Sequence, residues 1–93
     1  MNLTDEQLAL VEEMSEALMP PKEIAILIGL TVNDIDSFAE HCKTHLNSAL
    51  YMAFQKGRLK TKLELRKTII KLAKHGSPAA EPIAEKYIRE QLM

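Results

Sequence analysis

The sequence predicts an all-α protein, a small bundle of about five helices that contains a helix-turn-helix. Apolar residues recur at three- and four-residue spacing along most of the 93 residues, and no segment alternates between apolar and polar as a β-strand would. Residues that commonly begin or end helices divide this pattern into segments. The length is that of one domain, residues 1 to 93.

The first helix is predicted over about residues 5 to 18. Thr4 and Gln7 have the spacing of a capping box, in which the side chain of each residue bonds the backbone amide of the other. Leu3 and Leu8 are placed to form a hydrophobic staple across this helix start. The proline pair that follows should end the helix.

A helix-turn-helix is predicted at about residues 21 to 41. Pro21 is suited to the first position of a short helix, Gly29 supplies the turn, and Thr31 with Asp34 has the spacing of a second capping box. A helix-turn-helix also needs a small residue at the crossing and apolar residues that lock the two helices. Those positions are occupied here by Ile24, Ala25, Ile28, Leu30, Ile35 and Phe38.

From about Lys43 the residues favour helix for a long stretch. Gly57 is the one strong interruption, and it costs a helix interior about 1 kcal/mol relative to alanine. We therefore expect a break, kink or loop near residues 56 to 60.

The last helix is predicted at about residues 78 to 92. His75 and Gly76 are typical of a helix end with glycine in the left-handed conformation. Pro82 disturbs a regular start, so residues 78 to 81 are expected to form a tighter turn before the helix. Its apolar stripe includes Leu92.

The charges are divided unevenly along the chain. Residues 1 to 40 carry nine acidic residues and one basic residue, whereas residues 41 to 93 carry eleven basic and four acidic residues. Residues 56 to 74 are the most basic segment and the strongest candidate for contact with phosphates. The predicted phosphate contacts are Lys56, Arg58, Lys60, Lys62, Arg66 and Lys67, with Lys71 and Lys74 further along; an ordinary solvated helix face remains the alternative.

The second helix of the helix-turn-helix would read DNA through Asn33 and Ser37, whose side chains can bond base edges. Asp34, Asp36 and Glu40 accompany them, and phosphates repel these carboxylates. The acidic helix therefore argues against simple duplex binding through this surface alone.

The segment from Glu23 to Leu30, with Ile35 and Phe38 after it, resembles the N-terminal corner of small phage and prophage helix-turn-helix proteins, including terminase small subunits. Residues 49 to 57 and 72 to 80 are similar to later helices and turns of those chains. The resemblance covers roughly residues 20 to 92 and implies DNA recognition together with self-association.

An enzyme is not expected. His41 and His45 have the spacing of the histidines in an HExxH zinc site, but Cys42-Lys43-Thr44 between them lacks the catalytic glutamate. They are interpreted as surface or interface histidines, with an adventitious metal site that includes Glu40 as the alternative. No phosphate-binding loop or nucleophile motif is present. We expect no cofactor, no metal and no small-molecule substrate.

The sequence thus favours a cytoplasmic DNA-binding helix-turn-helix protein of phage or prophage type, with a packaging or regulatory role, that self-associates. No apolar run is long enough to cross a membrane, and the acidic start is unlike a signal peptide. The alternative is a protein-interaction module without DNA binding, which uses the acidic N-terminal half and the basic C-terminal half to bind a basic or an acidic protein surface. The two halves can also meet each other, between neighbouring subunits or within one chain.

Overall fold

A computed structural model describes residues 2 to 91. These residues form five α-helices and contain no β-strand, which confirms the all-α prediction. The helices are α1 (Asp5–Glu16), α2 (Pro21–Leu27), α3 (Val32–Thr44), α4 (Ala49–Lys74) and α5 (Glu81–Glu90). None of them combines the length and apolar character needed to cross a bilayer.

The chain divides into two compact units, Met1–Thr61 and Lys62–Met93. The sequence predicts one domain, and this stays a prediction. The first unit contains a contiguous apolar core to which α1, α2, α3 and the start of α4 all contribute: Val11, Ile24, Ala25, Ile28, Phe38, Cys42, Leu50 and Phe54. The core residues proposed for the helix-turn-helix are among them, and Leu30 and Ile35 pack against its edge.

The start of α1 is as predicted and its end is not. The Thr4 hydroxyl accepts a bond from the Gln7 amide at 3.1 Å, and the Gln7 side chain accepts one from the Thr4 amide at 2.9 Å. The helix stops at Glu16, two residues early, because Leu18 takes a left-handed φ of +62°. The Met19 amide then bonds the Met14 carbonyl at 3.1 Å, which is the Schellman arrangement.

The turn between α2 and α3 has the same Schellman arrangement. Gly29 has a φ of +91°, and the Leu30 amide bonds the Ala25 carbonyl at 3.1 Å. The predicted capping box at the start of α3 is wrong. The Thr31 hydroxyl bonds the Asp34 carboxylate at 3.3 Å instead of accepting an amide, and an aspartate is shorter than the glutamate or glutamine of a capping box.

The helical stretch after Lys43 is interrupted where the sequence did not indicate it. Residues 45 to 48 form a loop, and Ser48 caps α4 by accepting the Tyr51 amide at 3.0 Å. The break expected near residues 56 to 60 is absent, since α4 is continuous through Gly57. Gly57 is buried at the crossing with α1, so it serves close packing instead of a turn.

The second unit contains the rest of α4 and the whole of α5. Gly76 has a φ of +84° at the end of α4, as predicted, and residues 78 to 80 form a turn before α5. No side chain of α5 is buried, and Ala80 is the one buried apolar residue described in this unit. Leu92, placed on the apolar stripe from the sequence, lies outside the described residues.

Candidate nucleic-acid interface

The outward face of α3 carries the two residues predicted to read bases. Asn33 and Ser37 are both exposed and lie four residues apart, so they share one face of the helix. Asp36 stands between them in sequence, and its carboxylate pairs with Lys22 of α2 at 3.3 Å. Sequence reasoning missed this cation because Lys22 lies on another helix, 14 residues before Asp36.

Three of the six predicted phosphate contacts are used inside the first unit. Lys60 Nζ bonds the Glu12 carboxylate at 2.5 Å, and Lys56 Nζ lies 3.7 Å from the same group. The bond from Lys60 lowers the pKa of Glu12, and the bond to Glu12 raises the pKa of Lys60. Part of the complementarity between the acidic and basic halves is therefore satisfied within one chain.

Arg58 is the third internally engaged cation. Its guanidinium donates to the Met19 carbonyl at 2.8 Å and lies 4.8 Å from the centre of the Phe54 ring. The bond satisfies a carbonyl in the turn after α1, and the ring contact adds a cation–π attraction. Arg58 consequently holds the turn to α4, and its positive charge faces the protein.

Arg66 joins the two helices of the second unit. It pairs with the Glu90 carboxylate at 2.7 Å, and its guanidinium lies 4.1 Å from the centre of the Tyr87 ring. The bond to Arg66 lowers the pKa of Glu90. The Nε atom of Arg66 is buried and has no hydrogen-bond partner among the described residues. This side chain is a link between α4 and α5.

Lys62 and Lys67 are exposed, and they are the two predicted contacts for which no ion pair is found within residues 2 to 91 and which bond no other group there. Lys71 and Lys74 are exposed as well. Spacings of four and three residues place Lys67, Lys71 and Lys74 on one face of α4. We call these three residues the lysine row. Helical periodicity groups these three residues, but it also places Lys56 and Lys60 on the same face. Only the contacts of Lys56 and Lys60 with Glu12 distinguish the paired cations from the lysine row.

The described residues include one free cysteine and no clustered set of metal ligands. No group of three or more histidine, cysteine, aspartate or glutamate side chains is arranged to hold a metal anywhere in residues 2 to 91. Cys42 is fully buried, and this burial raises the pKa of its thiol to about 11. A thiol in this state is a poor nucleophile because the thiolate is the reactive form.

Comparison with known proteins adds no assignment. No protein-family model matches the chain, and no curated protein or solved structure does so either.

Proposed function

We propose that this chain is a cytoplasmic, non-enzymatic DNA-binding protein of the helix-turn-helix type that self-associates, with the packaging or regulatory role of the phage-type proteins it resembles. The observation that carries the proposal is the lysine row. Lys67, Lys71 and Lys74 project from one helix face, whereas Lys56, Arg58 and Lys60 are bound to the protein's own groups. Unpaired cations on one surface are the electrostatic footprint expected for phosphate binding.

In this proposal the lysine row supplies affinity and α3 supplies a small degree of selectivity. Backbone contacts position a protein on a duplex without reading sequence, whereas contacts to base edges discriminate. Asn33 and Ser37 are the two exposed side chains suited to base edges, and the pairing of Asp36 with Lys22 reduces the repulsion from one acid beside them. We expect weakly selective, strongly salt-dependent binding.

Self-association is supported by the second unit, whose apolar residues are poorly covered. A groove of about 380 Å³ lies between α4 and α5, and its apolar lining is Ile70, Ala73, Ala84, Tyr87 and Ile88. Ile88 is 63% exposed. A pair of short helices that buries so little apolar surface gains little stability by itself, because tertiary packing provides most helical stability.

The charges around this groove favour a second copy of the chain as its occupant. Lys74 lines the α4 side, whereas Glu81 and Glu85 line the α5 side. A two-fold interface places the same patch of both subunits against each other, so Lys74 of one copy can meet these acids of the other. In such a dimer Lys67 and Lys71, which do not line the groove, stay available to phosphate. A surface with positive charge on one side and negative charge on the other is electrostatically complementary to the same surface of a second copy.

The direct test is binding to a duplex of random sequence, followed by fluorescence anisotropy over a salt series. Affinity that falls steeply as salt rises supports DNA binding, since bound phosphates release counterions. Absence of binding at low salt contradicts it.

The second candidate function is a protein-interaction module, and the acidic surface of α3 favours it. Asp34 and Glu40 are exposed, and no ion pair involves either of them within the described residues. A basic protein surface would be attracted where a phosphate is repelled. Binding to a basic protein, with no binding to DNA at the same salt concentration, distinguishes this function from the first.

A further inference from the structure

Two histidine rings are stacked at the end of α3. The rings of His41 and His45 have centroids 3.8 Å apart and are inclined by 12°. His41 lies in the last turn of α3, and His45 is its C-terminal cap, with its amide still bonded to the His41 carbonyl at 3.3 Å. The four-residue spacing keeps both rings on one face.

Hydrogen bonds fix the proton position on His41. Its Nδ1 lies 2.7 Å from the Ser37 carbonyl oxygen. A carbonyl accepts and cannot donate, so Nδ1 carries the proton. In the neutral ring, Nε2 then has the free lone pair.

Hydrogen bonds also fix the proton position on His45. The Thr44 hydroxyl donates its single hydrogen to the Glu40 carbonyl at 2.9 Å. His45 Nδ1 lies 3.1 Å from that hydroxyl oxygen and is therefore the donor between them. Both neutral rings thus carry a proton on Nδ1 and a lone pair on Nε2.

From this geometry we infer that His41 and His45 form a two-histidine site for a borderline divalent transition metal, Cu²⁺, Ni²⁺ or Zn²⁺. Neutral imidazole is the preferred protein ligand of these ions, and bonding of the second ring nitrogen to a backbone or side-chain oxygen is the usual arrangement that orients such a ligand. Because the stacked rings are nearly parallel, they must rotate about their side-chain bonds to direct both lone pairs to one ion. This inference is independent of DNA binding.

Water completes the coordination, since two protein ligands leave several positions open. His45 is exposed to solvent, and a surface cleft of about 400 Å³ borders His41. The nearest charged residues in sequence, Glu40 and Lys43, are both exposed and opposite in sign. The bound ion would join the last turn of α3 to its cap, and so restrain the C-terminal end of the second helix of the helix-turn-helix.

The test is calorimetric titration of the full chain with NiCl₂, using His41→Ala, His45→Ala and, as the matched control, His75→Ala. His75 also donates from Nδ1 to a carbonyl four residues earlier, that of Lys71, at 2.7 Å, and is exposed at a helix end. No histidine lies near it in sequence. The His75→Ala variant therefore shows how much a single isolated histidine contributes to Ni²⁺ affinity.

We expect wild type and His75→Ala to bind one ion with equal affinity, and each of the other variants to bind at least about tenfold more weakly. The second bond forms at a high effective concentration only when both rings are present. A thermal melt should show stabilisation by NiCl₂ that is lost in the same two variants. An equal loss of Ni²⁺ affinity in all three variants, or no Ni²⁺ binding by wild type, overturns the inference. Circular dichroism confirms that each variant is folded.

Discussion

Gly57 and Ser15 are in direct contact where α4 crosses α1. A Cβ placed on Gly57 would lie 2.8 Å from Ser15 Cβ and 2.9 Å from the Glu16 amide nitrogen, and closer still to the Glu12 carbonyl oxygen. Ser15 is fully buried beside it, and its hydroxyl donates to the Phe54 carbonyl at 2.5 Å. Two small residues thus allow the two helix backbones to approach.

The first prediction concerns the substitution Gly57→Ala. In an exposed helix, alanine would stabilise by about 1 kcal/mol. Here we expect a loss of at least about 2 kcal/mol, because the new methyl group meets backbone atoms that cannot rotate away. Urea denaturation measures the difference. Glu64→Ala, at an exposed position of the same helix, should change stability little; a more stable Gly57→Ala protein would contradict the described crossing.

The second prediction concerns acid stability. The bond from Lys60 lowers the pKa of Glu12 below its ordinary value of 4.5, so the pair stabilises the fold at neutral pH, and this stabilisation is lost as the pH falls below 4.5. Glu12→Gln should therefore melt at a lower temperature than wild type at pH 7, and the difference should shrink in acid.

The control for Glu12 is Glu13→Gln, which alters an exposed neighbour on the same helix. It should melt like wild type at pH 7. High salt should also reduce the effect of Glu12→Gln, since salt screens partly exposed pairs. A difference between wild type and Glu12→Gln that is independent of both pH and salt would show that packing, not charge, is responsible.

The third prediction concerns the left-handed residue after α1. Leu18 has a φ of +62° and is 50% exposed, so its side chain gives up little contact when removed. Leu18→Gly should stabilise the protein by up to about 1 kcal/mol, because glycine adopts this conformation without steric strain. Ala17→Gly, next to it at a φ of −78°, should instead destabilise. The same sign for both substitutions would argue against the described turn.

The fourth prediction concerns the groove between α4 and α5. Ile88→Glu should abolish self-association measured by sedimentation velocity, since it places a charge in the apolar part of the interface. The control is Val32→Glu, which charges a residue that is 85% exposed and outside the groove. A wild-type protein that stays monomeric at high concentration would contradict the proposed interface.

The fold was largely predictable because caps and periodicity act locally. Thr4 with Gln7, Gly29 and Gly76 all mark helix ends in the structure as they do in the sequence. Leu18 was not predictable, because it occupies a left-handed position where glycine is usual. The prediction of a break at Gly57 was wrong because its partner in the helix crossing, Ser15, is 42 residues away in the chain. That contact is recognised only in three dimensions.

The sequence did not show which cations of the candidate site are available to bind phosphate. A basic segment does not show which of its cations are already paired. Glu12, which binds Lys56 and Lys60, lies on another helix and has no signal that distinguishes it from its neighbour Glu13. The same applies to Arg66 with Glu90. Periodicity identifies which lysines share a face, and long-range contacts decide which of them remain available.

The measurement that tests the central claim most directly is duplex binding by a variant that lacks the lysine row, Lys67→Gln, Lys71→Gln and Lys74→Gln together. Its matched control removes three positive charges outside the lysine row by Lys43→Gln, Lys86→Gln and Arg89→Gln, all exposed. The slope of log affinity against log salt should become shallower by roughly 0.9 for each lysine that contacts a phosphate. We predict that the lysine-row variant loses most of the affinity and slope while the control keeps both. Equal effects of the two variants, or unchanged binding by the first, would contradict DNA binding through the lysine row.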